Sequence, residues 1–298
     1  MIQDRIAELK KRKNAVILAH FYQMPEIQDI ADFVGDSLEL SRRARDVDAD
    51  VIVFCGVWFM AGSAKLLSPS KIVMIANGEA GCPMADMATA GDVARLREMH
   101  PKAAVVTYVN SSVEVKAVSD ICCTSSNAVR IVESLPNAEI IFVPDRNLGS
   151  YVARFTDKKI ITFNGYCPTH HRVFIEHVDA ARRAQPNAEL LVHPECVREV
   201  VDAADFVGST AQIIAYAGAS SGKEFIIGTE EGVLHPLKRQ NPDKRFYMLS
   251  DRLICPNMKK TSLEDVVACL EEGVGAIEID PGTADAAATS LFRMLEVK

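Results

Sequence analysis

Three cysteines of this 298-residue chain share one local setting. Cys82 stands in GCPM, Cys167 in YCPT and Cys255 in ICPN, each after a short apolar run and before a proline. Three thiolates brought together could hold a cubane iron-sulfur cluster with one iron left open to substrate. They could equally hold a zinc ion that keeps a water as its fourth ligand. The ligand types alone leave both open. A buried Cys-Pro turn would explain one such site, but three in register weigh against it. No C-x-x-C pair occurs, which argues against a zinc finger, a thioredoxin motif or a bacterial-ferredoxin run. Cys55, Cys122, Cys123 and Cys269 lie in or beside apolar segments and read as core thiols. Cys196 directly follows Glu195, a candidate site residue.

Two further sets of polar residues recur with the cysteines. The pairs His20/Tyr22, Tyr108/Asn110 and His193/Glu195 each end a strand-like run, and residues i and i+2 of a strand project from the same face. Hydroxyl residues Ser37, Ser125, Ser209 and Thr210 follow short turns at the expected starts of helices. There they can cap the helix or bind an anion.

The elements that must position these groups are visible as a repeat. DFVGDS at Asp32 returns as DICCTS at Asp120 and as DFVGST at Asp205, offsets of 88 and 85 residues. Each polar pair sits 12 and 10 residues before its Asp. Each repeat then has a second strand (VIVF, EIIF, EFII) and a third that opens on a basic residue (KIVMI, KIITF, RFYML). Alternation of apolar strands with helical segments predicts an α/β fold with parallel strands. Several features at common offsets predict three related units, 1–86, 87–172 and 173–260. The tail 261–298 opens on Thr261-x-x-Glu264, a capping-box pattern, and is expected to be helical and to pack on the first unit. Ligands of parallel α/β units gather at the carboxyl ends of strands. Three units facing a common pseudo-threefold axis would therefore bring the three residue sets together.

A formal net charge of −7 argues against nucleic-acid and anionic-membrane partners, which need a basic face. The N-terminus IQDRIAELKKRK is not followed by the apolar stretch of a signal peptide, and the longest apolar runs are of strand length. A cytoplasmic protein is expected.

Segments along nearly the whole chain resemble the quinolinate synthase family in the family order. They are AHFYQMPEIQDIADFVGDSLEL, FMAGSAKLL, CPMA, YVNSS, PDRNLG, CPTH, HPEC, GST, IGTEEGVLH and MKKTSLE. The resemblance implies three homologous three-layer α/β units about a pseudo-threefold axis, with the active site and cluster at the centre. It implies a [4Fe-4S] cluster on Cys82, Cys167 and Cys255 with one open iron site. Substrate-binding positions fall on His20, Ser37, Tyr108, Asn110, Ser125, His193, Glu195 and Thr210, further active-site positions on Tyr22 and His170, and an anion anchor on Ser209. The implied reaction condenses iminoaspartate with dihydroxyacetone phosphate to quinolinate, with loss of phosphate and water, in de novo NAD biosynthesis. L-Aspartate oxidase or aspartate dehydrogenase would supply the iminoaspartate. Glu195 is expected to be the general acid/base, assisted by Tyr22 or His20.

Four positions depart from the family pattern. Phe21 replaces a polar or tyrosyl residue, Gly62 stands where Glu usually follows FMA, Tyr166 where His precedes the second cysteine, and Ala211 where Gly follows the GST-like turn. Three other readings compete: a non-catalytic iron-sulfur sensor, a zinc hydrolase with Glu195 as base, and a triplicated binding protein without turnover.

Overall fold

A computed structural model describes residues 1–297. It contains three parallel four-stranded sheets of one topology. The first uses β1 (Ala15–His20), β2 (Phe33–Gly35), β3 (Val51–Cys55) and β4 (Ile72–Ile75), in the order β2-β1-β3-β4. The second repeats it with β5 (Ala104–Tyr108), β6 (Ile121–Cys123), β7 (Glu139–Val143) and β8 (Lys159–Thr162), in the order β6-β5-β7-β8. The third uses β9 (Glu189–Val192), β10 (Phe206–Val207), β11 (Glu224–Gly228) and β12 (Arg245–Met248), in the order β10-β9-β11-β12. The central strands are buried along their length, as in VIVFC and AVVTY, because helices cover both faces of each sheet. This matches the α/β fold with three repeated units expected from the offsets.

One aspartate per repeat ties its sheet together in the same way. Asp32, Asp120 and Asp205 each accept the N–H of a residue on the central strand: Ile17 at 2.8 Å, Val105 at 2.7 Å and Leu190 at 2.7 Å. The repeated Asp is thus structural. It fixes how the short edge strand enters beside the strand that carries the polar pair.

The tail differs in two respects from the expectation. Its helix Leu263–Glu272 is capped one residue later than the motif suggested. Ser262 accepts the N–H of Asp265 at 3.1 Å, and Asp265 accepts that of Ser262 at 2.9 Å, while Thr261 is buried. Both residue patterns satisfy the capping-box rule. The frame that turns Val266, Val267, Cys269 and Leu270 inward is the one adopted. This helix packs on the first unit against Ile2–Lys13, with an Arg5–Glu271 ion pair at the rim. The chain then runs antiparallel to β4, Ile75 N–H donating to Gly275 O at 2.8 Å. The last helix, Pro281–Glu296, does not stay on the first unit. It lies on helix Val113–Ala117 and strand β6 as well as on helix Trp58–Leu67. Ala287, Leu291 and Met294 are wholly buried there, and Arg293 donates to Asp120 O at 2.8 Å. The tail therefore fastens the first two sheets together, which a sequence period that ends near residue 260 could not reveal.

Candidate active site

Turns at the carboxyl ends of all three sheets line a single cavity. It contains His20, Tyr22, Ser37, Tyr108, Asn110, Ser125, His170, His193, Glu195 and Thr210 together with Cys82, Cys167 and Cys255. Every candidate from the sequence is there except Ser209. Ser209 is fully buried and caps helix Thr210–Ala219, accepting the N–H of Gln212 at 3.3 Å. Its hydroxyl lies 3.2 Å from Asp36 Oδ2 and 2.8 Å from Ser126 Oγ, and Ser126 donates to the same Asp36 oxygen at 2.5 Å. The offsets of 88 and 85 explain this placement. They make Asp36, Thr124 and Ser209 one row and Ser37, Ser125 and Thr210 the next. The first row organises the turns, with Asp36 and Thr124 also reaching the cavity wall, and the second faces the cavity throughout.

The polar pairs fix their own imidazoles. Tyr22 N–H donates to His20 Nδ1 at 3.1 Å, and Glu195 N–H donates to His193 Nδ1 at 3.3 Å. Each Nδ1 is therefore an acceptor, and each neutral ring carries its proton on Nε2. His193 Nε2 lies 3.1 Å from Ser125 Oγ. Burial, with His193 and Lys259 nearby, outweighs the opposing pull of Glu195 and brings His20 down to about 3. Burial and His170 likewise bring His193 down to about 4 against the pull of Glu195. Both rings are thus neutral N–H donors at neutral pH.

This has a consequence for stability. Unfolded, both rings titrate near pH 6.5; folded, they stay neutral to about 3 and about 4. Between these limits the unfolded chain binds more protons, so stability is full above pH 6.5 and falls as pH drops towards 4. The urea midpoint of the metal-free chain should decline over that window. His20→Asn should flatten the decline.

Glu195 is 4% exposed and is the centre of a hydrogen-bonded line. Tyr108 Oη donates to Oε1 at 2.7 Å, and His170 Nδ1 lies 2.8 Å from Oε2. A carboxylate only accepts, so His170 donates from Nδ1, and in the neutral tautomer with that proton its Nε2 accepts. Thr229 Oγ1, 3.0 Å away, supplies that hydrogen. Thr229 then accepts from Tyr22 Oη at 2.7 Å, and Tyr22 accepts from Thr210 Oγ1 at 2.8 Å. Five side chains from the three sheets' loops form one directed path that ends on Glu195. Burial alone would raise the Glu195 carboxyl. The neighbouring His193 and His170 and the two donated hydrogen bonds outweigh that and hold it below the usual carboxylate range. Asn110 Oδ1 is buried with no protein partner, as expected of an amide that faces a ligand.

Burial pushes the Cys82 thiol up to about 12 and raises Cys167 and Cys255 as well. Without a cation to stabilise thiolates they are neutral. Among the described residues, one set of three donor atoms lies within 4.8 Å of one another: Cys167, His170 and Glu195. At least one pair among the sulfurs of Cys82, Cys167 and Cys255 therefore lies farther apart than that. Tetrahedral zinc with bonds of about 2.3 Å needs its thiolates about 3.8 Å apart. Three soft thiol donors lining one cavity can serve either a zinc ion or an iron-sulfur cluster.

Sequence reasoning gave no role to Thr229, Glu230, Asp145 or Asp36, all buried at or beside the site. Thr229 and Glu230 lie in TEEG and Asp145 in PDRNLG. The repeat register would have found Asp145 and Glu230, which are 85 residues apart at equivalent strand ends. Gly232 is another such residue. A Cβ there would stand 2.7 Å from Phe21 O and from Tyr22 Cα. Gln28 Nε2 seals the same contact, donating to Gly232 O and Phe21 O at 3.0 Å each. Gly232→Ala should push back the turn that carries Tyr22, costing about 1–3 kcal/mol in urea unfolding.

Phe21, Gly62, Tyr166 and Ala211 do not line the cavity. Phe21 and Ala211 pack in the core of the third sheet, Gly62 lies under the Trp58 ring, and Tyr166 is covered by Arg146.

A family model described as quinolinate synthetase A protein matches residues 4–296. The chain is 54% identical to quinolinate synthase of Alkaliphilus metalliredigens over 296 residues, 99% of this chain and 98% of that protein. It is 54% identical to quinolinate synthase of Caldicellulosiruptor saccharolyticus over 297 residues, with 99% and 98% covered. It is 51% identical to that of Methanoregula boonei over 295 residues, again with 99% and 98% covered. With three sheets of one topology and a shared cavity, this chain belongs to the quinolinate synthetase A family.

Proposed function

We propose that the chain is a quinolinate synthase that condenses iminoaspartate with dihydroxyacetone phosphate, releasing phosphate and water, as a step of NAD biosynthesis. The observation that carries this reading is the meeting of Cys82, Cys167 and Cys255 with Glu195, His20, His193 and Tyr22 in one cavity. Cys82, Cys167 and Cys255 would hold a [4Fe-4S] cluster. Bound there, the cluster supplies one iron without a protein ligand, a Lewis acid for a substrate oxygen.

The chain's own residues account for the rest. Dihydroxyacetone phosphate must pass between ketone and aldehyde forms, so a proton has to leave one carbon and return to its neighbour. Glu195, ionised and held by Tyr108 and His170, is the base that takes it. The line through His170, Thr229, Tyr22 and Thr210 carries donors whose hydrogens can shift together when Glu195 is protonated. His20 and His193 present Nε2–H groups to developing negative charge on oxygen. Ser37, Ser125 and the amide of Asn110 are the anchors for carboxylates and phosphate, and Thr210 lines the cavity beside them with its hydroxyl hydrogen directed to Tyr22. Ser209 holds the turn that carries Thr210, and its own hydroxyl is occupied by Asp36 and Ser126. The three units are inferred to face a common pseudo-threefold axis through this cavity. Among the described residues no helix is long and apolar enough to cross a membrane. A cytoplasmic setting, in which iminoaspartate arrives from L-aspartate oxidase or aspartate dehydrogenase, is part of the same proposal.

The test is an anaerobic assay of chain reconstituted with iron and sulfide. Oxaloacetate and ammonia supply iminoaspartate, dihydroxyacetone phosphate is added, and quinolinate is sought by mass. Quinolinate that forms only with reconstituted protein supports substrates and cofactor together. Its absence from fully loaded protein would overturn the assignment and favour a sensor or binding role.

A further inference from the structure

We propose that Asp145 and Glu230 are positioning residues that hold Cys167 and Cys255 in place, and that Cys82, which lacks such a brace, is released first when bound metal is withdrawn. The proposal rests on the reading of the three cysteines as ligands.

Each cysteine loop is tied to the end of the strand that neighbours it by one backbone hydrogen bond of the same kind. Trp58 N–H donates to Ala80 O at 2.8 Å, Arg146 N–H to Gly165 O at 2.9 Å, and Glu231 N–H to Leu253 O at 2.9 Å. Each acceptor stands two residues before its cysteine, and the donors are 88 and 85 residues apart. This tie is common to all three units.

The residue just before each donor breaks the equivalence. In two units it is a carboxylate with no solvent exposure, Asp145 or Glu230. Asp145 Oδ2 accepts the Cys167 N–H at 3.2 Å, and its other oxygen accepts the Leu148 N–H at 2.8 Å. Glu230 Oε1 accepts the Cys255 N–H at 3.0 Å, and its other oxygen accepts the Gly232 N–H at 2.8 Å. Lys259 Nζ also lies 2.9 Å from Glu230. Burying a carboxyl group is costly, and the backbone N–H groups offset part of that cost while burial still raises both Asp145 and Glu230 above the usual carboxylate range. One of these groups in each case belongs to the cysteine. In the first unit the equivalent residue is Val57, which has no side-chain acceptor. Among the described residues no protein group accepts the Cys82 N–H. Hydrogen bonds that hold a ligand from behind set its orientation and lifetime. The cysteine without one has the most freedom to swing away.

The experiment follows the three thiols separately. Chain reconstituted anaerobically with iron and sulfide is exposed to a ferrous-iron chelator and pulsed with iodoacetamide. Peptide mass spectrometry then reports the modification of Cys82, Cys167 and Cys255 over time. Metal-free chain treated in parallel gives the intrinsic rate of each thiol and corrects for exposure. After that correction Cys82 should be freed about five- to tenfold faster than the other two. Asp145→Asn leaves one acceptor oxygen for two donors and should advance Cys167 while leaving Cys255 unchanged. Glu230→Gln should do the reverse. A merely structural role would free all three cysteines together in either variant. Simultaneous release in the unaltered chain, or variants that loosen all three alike, would overturn the proposal. The unaltered chain decides its order even if the variants fold poorly. Failure of that chain to take up iron would instead sink the ligand reading, and this proposal with it.

Discussion

Cys167→Ala is expected to reduce bound iron after reconstitution to background and to abolish quinolinate formation. The side chain lies at the junction of the two chemistries in the cavity, its Sγ 3.2 Å from His170 Nδ1. His170 in turn holds Glu195. With three thiolates for a cubane there is no spare protein ligand, so loss of one leaves two iron atoms without a protein donor. Burial has raised Cys82 to about 12 and also raised Cys255, so both are neutral thiols before metal binds. Each must give up a proton as metal binds, so loading should be faster at higher pH. Cys123→Ala provides the contrast. Cys123 is wholly buried on β6, outside the cavity, and its removal should leave the iron content unchanged. Iron content by colorimetry and the visible absorption of the reconstituted protein decide the matter. Full iron and full activity in Cys167→Ala would mean that the three Cys-Pro loops are only turns.

Much of this site could be read from the sequence because it is a repeat whose copies differ at the positions that matter. Strand-end pairs and hydroxyl turns kept their offsets of 88 and 85 while their side chains diversified, the Cys-Pro loops recur unchanged at 85 and 88, and a period of about 85–88 residues projects all three sets to one place. The failures follow from the same pattern read too loosely. Ser209 was grouped with the cavity hydroxyls because it is a hydroxyl next to one. Its true counterpart is Asp36, and both cap helices. Thr229 was invisible because Pro144 and Gly56 fill its register positions and offer no hydroxyl to compare. The course of helix Pro281–Glu296 was out of reach for another reason. It belongs to no repeat, and its amphipathic face says that it is buried but not against which sheet.

Glu195→Gln should keep the iron and lose turnover, with kcat falling by about 10²–10⁴-fold, the usual contribution of a positioned acid or base. The substitution preserves shape but reverses half of the hydrogen bonding. Glu195 accepts from Tyr108 on one oxygen and from His170 on the other. An amide can satisfy only one of these donors with its oxygen, and the other must turn away or lose its partner. The line from His170 through Thr229 to Tyr22 would then have no basic end. Steady-state kinetics separate this from a role in binding alone. Loss of an interaction used equally by substrate and transition state raises KM and spares kcat, whereas loss of the base lowers kcat. The pH profile gives a second test. In the unaltered enzyme the rate should fall on the acid side as Glu195 takes up its proton, and because its neighbours hold it below the usual carboxylate range, that limb should lie at unusually low pH. In Glu195→Gln the residual rate should have no such limb. A variant with normal kcat and only a higher KM would remove Glu195 from the chemistry and leave it as a hydrogen-bonding wall for Tyr108 and His170.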